Sequence, residues 1–149
     1  MFKHILIATD GSDVSSKGLT TGVALAKLSQ ARITILTVSE PFPAYDVVSR
    51  LSLFQDPAAV EAYELSCQQW AENVLALASA VADAEGVRSE TLHIPNSSPA
   101  AAILDTAKFR SCDLIVVASH GLHGLERFVI GSQAARVVQG ADVSVLVVR

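Results

Sequence analysis

Charge is scarce in this chain: Asp, Glu, Lys and Arg make up 17% of its 149 residues, where about a quarter is usual. Acids outnumber bases for a formal net charge of −4, and the pI is about 5.5. Bulk electrostatics therefore offers little to a nucleic-acid backbone. Cysteine is also rare. Cys67 and Cys112 stand apart, in no metal-ligand spacing. A chain of this length buries roughly two thirds of the surface that its unfolded form exposes. It needs no disulfide or metal staple, and two lone cysteines point to a reducing compartment. Long hydrophobic runs are missing as well. The first apolar run stops at Asp10, too early for a signal peptide. No run approaches the roughly 18 residues that span a bilayer. A single domain over residues 1–149, located in the cytoplasm, is the expectation.

What the chain has in quantity is apolar side chain, 50% of the total, which argues against disorder. So much apolar surface with so little charge implies elements buried on both faces, or a surface covered by a partner. Five short runs carry most of it: 4–9, 32–38, 87–94, 113–119 and 143–148. The first, second, fourth and fifth are nearly continuous in Val, Ile and Leu, the mark of parallel strands under two helix layers. The third alternates (Val87, Ser89 and Thr91 against Arg88, Glu90 and Leu92) and reads as an edge strand.

Helical patterns fill the gaps. Over 13–29 one face carries Val14, Gly18, Thr21, Leu25 and Leu28, with Ser12 or Asp13 as the cap. Gly18 and Gly22 indicate close helix–sheet packing, since no Walker pattern surrounds them. A longer helix follows, capped by Asp56 with Pro57 in its first turn. Val60, Tyr63, Cys67, Trp70, Val74, Leu77 and Val81 recur along it at spacings of three and four. That stripe is read as core-facing rather than as a coiled-coil seam, because its flanks lack complementary charges. The helix spans about 28 residues and about 42 Å, so it outruns the strands and must break or overhang. Two shorter helices begin at Ser98-Pro99 and near Gly131-Ser132, the latter ending at Gly140.

The βαβαβαβαβ order predicts an α/β fold, an open doubly wound five-stranded parallel sheet. Its ligands belong at the carboxyl ends of the strands. There the sequence places Thr9-Asp10-Gly11 after the first strand and Ala118-Ser119-His120-Gly121 after the fourth. A carboxylate at the tip of a buried strand is costly unless it caps, binds a metal or meets a ligand. Asp10 is that carboxylate. Small residues after the fourth strand let backbone approach a phosphate. Gly131-Ser132 opens a helix with free N–H groups, a hydroxyl and the positive end of the helix dipole. Arg127 in the intervening loop adds a cation.

Other chemistries fit less well. His120 and His123 form an H-x2-H pair without further zinc ligands nearby. A serine hydrolase would need a G-x-S-x-G elbow. A phosphoacceptor receiver would need paired acids after the first strand and an Asp ending the third, where this chain has a single acid and His93-Ile94-Pro95. A flavodoxin-type loop is excluded by the acidity of Gly11-Ser12-Asp13.

The opening KHILIATDGSDVSSKGL, the run DLIVVASHGLHGLERFVIGSQAARVV and the ending VLVVR resemble the universal stress protein family along nearly the whole chain. Segment 40–56 has no distinctive counterpart. The resemblance implies a Rossmann-like domain with strand order 3-2-1-4-5. It also implies ATP, carried with Mg²⁺, bound through G-x2-G-x9-G-[ST]. Gly121, Gly131 and Ser132 match that motif, and Ala118 takes the place of its first glycine. Asp10 matches the family aspartate near the ribose, phosphates and Mg²⁺. Ala8 and Thr9 match pocket neighbours, and Val38 the position whose backbone meets adenine. Ser119, His120 and Arg127 belong to the same nucleotide loop. Two further departures are Ser97, where the family often has glycine before Pro99, and Ser144, where it usually has proline. The resemblance implies a homodimer through 143–148 and the preceding helix. The expected function is an ATP-binding stress-response or signalling protein with little or no catalysis. The alternative is a nucleotide-independent dimeric interaction module.

Overall fold

Runs rich in Val, Ile and Leu pair as strands, and the segments between them coil into helices that cover both sheet faces. The computed structural model describes residues 1–43, 56–120 and 130–149. Its elements are β1 (His4–Ala8), α1 (Asp13–Ser29), β2 (Arg32–Val38), α2 (Pro57–Ala84), β3 (Ser89–Ile94), α3 (Pro99–Phe109), β4 (Leu114–Ala118), α4 (Ser132–Gly140) and β5 (Ser144–Val148). The strands form one sheet in the order β3-β2-β1-β4-β5, and every pairing is parallel. This is the expected doubly wound topology, with β3 at one edge.

Alternation along the strands divides the core in two. Ile5, Ile7, Ile33, Ile35, Leu114 and Val116 face α1 and α2. Leu6, Leu36, Ile115 and Val117 face α3 and α4. β5 departs from the two-sided burial expected of it: Val145, Leu146, Val147 and Val148 are only half-buried. Among the described residues it pairs with β4 alone, so one flank meets no strand.

Two helix faces are rotated from the expectation. On α1 the buried residues are Ser15, Gly18, Leu19, Gly22, Val23 and Ala26, while Leu28 is 78% exposed. On α2 the sheet-facing residues are Ala71, Leu75, Ala78 and Ala82, and Leu77 is 73% exposed. A strict three-and-four spacing drifts around a straight helix by about 20° per heptad. The Val60-to-Val81 stripe therefore cannot face one surface throughout. Small alanines also allow a closer approach to the sheet than the larger stripe residues would. α2 does not break, and its N-terminal half overhangs.

Caps follow the sequence closely. Ser12 caps α1, its hydroxyl accepting from the Ser15 N–H at 3.2 Å. Asp56 caps α2 through the Ala58 N–H at 3.0 Å. At α3, Ser98 makes no side-chain cap; the Ala100 N–H donates instead to Gln133 Oε1 of α4 at 3.0 Å. Gly140 is the last residue of α4 and not the stop after it. Its role is contact, because a Cβ there would lie 2.7 Å from Leu104 Cδ1.

His4 is buried at the amino end of β1, with Nε2 2.9 Å from Thr34 Oγ1 and Nδ1 3.1 Å from the Arg110 carbonyl. Burial, and then the Arg32 charge, lower its pKa below 6.5; burial also lowers that of His93. Below about 6.5 the unfolded chain takes up protons that the folded chain refuses. These two groups therefore leave stability intact above that pH and reduce it as pH falls toward their folded values. The urea midpoint is expected to be lower at pH 5.5 than at 7.5; equal midpoints would contradict this.

Candidate functional site

At the tip of β1, hydroxyl groups fix the backbone. Thr37 Oγ1 donates to the Thr9 carbonyl at 2.7 Å, and Thr9 Oγ1 lies 3.1 Å from Ser15 Oγ. Asp10 is not the helix cap, since Ser12 fills that position. Its Oδ1 accepts the Ser12 N–H at 3.0 Å, an Asx turn that orients the carboxylate. Gly11 makes the turn possible with φ +78°, and a Cβ there would come within 2.9 Å of Val74 Cγ2. The loop is thus pinned beneath α2.

The tip of β4 is tied to its neighbours by Ser119. Its N–H donates to the Val148 carbonyl at 2.7 Å, and its own carbonyl accepts the Gly131 N–H at 2.7 Å. Ser119 Oγ lies 2.7 Å from His120 Nδ1. A Cβ at Gly131 would stand 3.0 Å from the Ser119 oxygen, so glycine lets α4 begin against the strand tip. Ala118 ends β4 in strand conformation, and its φ is not positive. The backbone there does not require the motif's glycine.

At the tip of β2, the Ser39 N–H donates to the Ile94 carbonyl, and the Ser39 carbonyl accepts the Ser97 N–H, each at 3.1 Å. Ser39 Oγ lies 2.8 Å from His93 Nε2. The turn before α3 takes its left-handed residue at Asn96, φ 54°, so Ser97 does not need to be glycine.

These three tips open onto one cleft of about 490 Å³, within the range of small-molecule sites. Ala8, Thr9, Asp10, Val38, Ala118, Ser119, His120, Gly131 and Ser132 all line it. Gly121, His123 and Arg127 lie outside the described residues. The cleft is also lined by Ser39, Glu40, Tyr63, Cys67, Trp70 and Gln133, which sequence reasoning missed. The α2 members belong to the periodic stripe that the sequence pattern assigns to the core. Among the described residues no group of three or more His, Cys, Asp or Glu side chains is placed to hold a metal ion, and no helix is long and apolar enough to cross a membrane.

The sequence profile described as the universal stress protein family matches residues 1–149. This chain belongs to that family. Universal stress protein YxiE of Bacillus subtilis is 35% identical over 151 residues, covering all of both chains. A universal stress protein of Thermus aquaticus is 35% identical over 149 residues, again covering both completely. Among solved structures, MJ0577 superposes with a TM-score of 0.81 at 21% identity, over 99% of this chain and 96% of the other. A universal stress protein in complex with cAMP gives 0.69 at 23% identity, over 99% and 97%. The Archaeoglobus fulgidus protein in complex with dAMP gives 0.66 at 19%, over 100% and 98%. At these identities the superpositions establish the shared Rossmann-like α/β fold, and two of these relatives were solved holding adenine nucleotides.

Proposed function

We propose that this universal stress protein binds ATP with Mg²⁺ in the cleft and acts as a cytoplasmic stress-response or signalling protein with little or no catalysis. One observation carries the reading: the residues picked from the sequence as nucleotide ligands converge, where described, on a single cleft of sufficient size. The close Gly131–Ser119 approach fits a phosphate cradle, with N–H groups at the start of α4 and the Ser132 hydroxyl beside them. Asp10, held in its Asx turn, is placed to meet the ribose or a phosphate-bound cation. Backbone at Val38 borders the base, Gly121 supplies the remaining motif glycine, and Arg127 of the same loop adds a cation. Mg²⁺ supplies charge neutralisation for the phosphates. Calorimetric titration with Mg·ATP tests the reading, saturable binding being the expected result. Absence of binding would leave the nucleotide-independent interaction module of the same fold.

The apolar flank of β5 supports a homodimer through residues 143–148 and α4, where Val138 is also exposed. An unpaired apolar edge is a hazard unless another strand covers it. Ser144, unlike proline, keeps an N–H for pairing. Sedimentation equilibrium at micromolar concentration is expected to give twice the chain mass; a monomer would refute the dimer.

A further inference from the structure

The overhanging half of α2 does something the sheet does not require. Strands of this sheet span about 17–23 Å, whereas a helix of 28 residues runs about 42 Å. The second half of α2 packs Ala71, Leu75, Ala78 and Ala82 inward. In the first half, Tyr63, Cys67 and Trp70 line the cleft. Their spacing of four and three residues puts them on one helix face. The overhang is anchored to the tip of β2, where Tyr63 Oη donates to the Glu40 carbonyl at 3.0 Å. The Tyr63 ring stands edge-on to Phe42, with centroids 5.3 Å apart and planes at 89°. Across the cleft, Ser119, Gly131 and Ser132 are small residues. β2 and β4 flank β1, so those two sides are separated by about two strand spacings, about 10 Å.

We propose that Trp70, supported by Tyr63 and Cys67, forms the base-recognition wall of the cleft. With the base at the Val38 tip of β2 and the phosphates at Gly131-Ser132, as proposed above, the purine ring meets this wall. This rests on the nucleotide-binding reading and adds a specificity-determining element to it. An aromatic face recognises a base by stacking area rather than by its hydrogen-bonding edge. The wall therefore favours purine over pyrimidine nucleotides.

Trp70 is the only tryptophan in the chain, so its emission reports this wall directly. Adenosine and ATP are expected to change that emission and to slow alkylation of Cys67 by iodoacetamide, read by mass spectrometry. Inorganic tripolyphosphate should do neither. Cys112 is buried and serves as the unreactive internal control. Trp70→Ala should weaken ATP about tenfold and leave tripolyphosphate affinity unchanged, whereas Trp70→Phe should retain most of the ATP affinity. Suppose calorimetry shows ATP binding to the unaltered protein while Trp70 emission and Cys67 alkylation stay constant. The wall is then wrong and the nucleotide reading stands. No ATP binding in calorimetry would overturn both. The probes on the unaltered protein decide the matter even if Trp70→Ala fails to fold.

Discussion

Gly131→Val is expected to weaken ATP binding by about a hundredfold, equivalent to about 2.7 kcal/mol, while the protein stays folded. The Cβ that valine adds would stand 3.0 Å from the Ser119 carbonyl oxygen. That oxygen cannot move away easily, because the Ser119 N–H is bonded to Val148 of β5. The start of α4 must move instead. The shift lengthens the bond from the Gly131 N–H to Ser119 and withdraws the helix N-terminus from the phosphates. α4 is short and its first turn is partly exposed, so the displacement costs far less in stability than in binding. Calorimetry with Mg·ATP, alongside a thermal melt by circular dichroism, checks both parts. Undiminished affinity in a folded variant would remove this loop from the site.

Gly22→Val is expected to destabilise the fold by about 3 kcal/mol, lowering Tm by about 6–12 °C for a chain of this size. A Cβ at Gly22 would fall 2.6 Å from Cδ1 and 2.9 Å from Cγ1 of Ile7. Ile7 is fully buried between α1 and the sheet, so it has no free space to rotate into. The neighbouring glycine supplies the control. At Gly18 the nearest atom to an added Cβ is the Ala118 nitrogen at 3.7 Å, an ordinary contact. Gly18→Ala should therefore be neutral or stabilising, since alanine favours a helix over glycine. Similar losses in both variants would mean that helix–sheet distance is not what Gly22 sets.

The same physics explains what was legible in the sequence. Strands β1, β2 and β4 are covered on both faces, so their continuous apolar runs announced them. The strand tips were legible from Asp10 and the Gly131-Ser132 pair taken together, since turns and helix starts call for such residues singly in any case. Helix faces were less legible. The small buried residues of α1 and α2, such as Ser15, Ala71 and Ala78, carry little hydropathy, while the exposed Leu28 and Leu77 carry much. Helix ends without glycine were hidden too: Gln30 closes α1 in the left-handed region at φ 54°. The cleft-lining residues of α2 were hidden because Tyr63, Cys67 and Trp70 repeat like a core face, whereas the face that meets the sheet is built from Ala71, Leu75, Ala78 and Ala82.

Everything proposed for this protein's function depends on an adenine nucleotide occupying the cleft at the tips of β1, β2 and β4. The most direct test is to purify the protein, denature it, and examine the released small molecules by absorbance and mass spectrometry. The emptied and refolded protein is then titrated with Mg·ATP. Adenine nucleotide in the released fraction, or saturable binding of about one ATP per chain, is the expected result. Neither released nucleotide nor a calorimetric signal would contradict it.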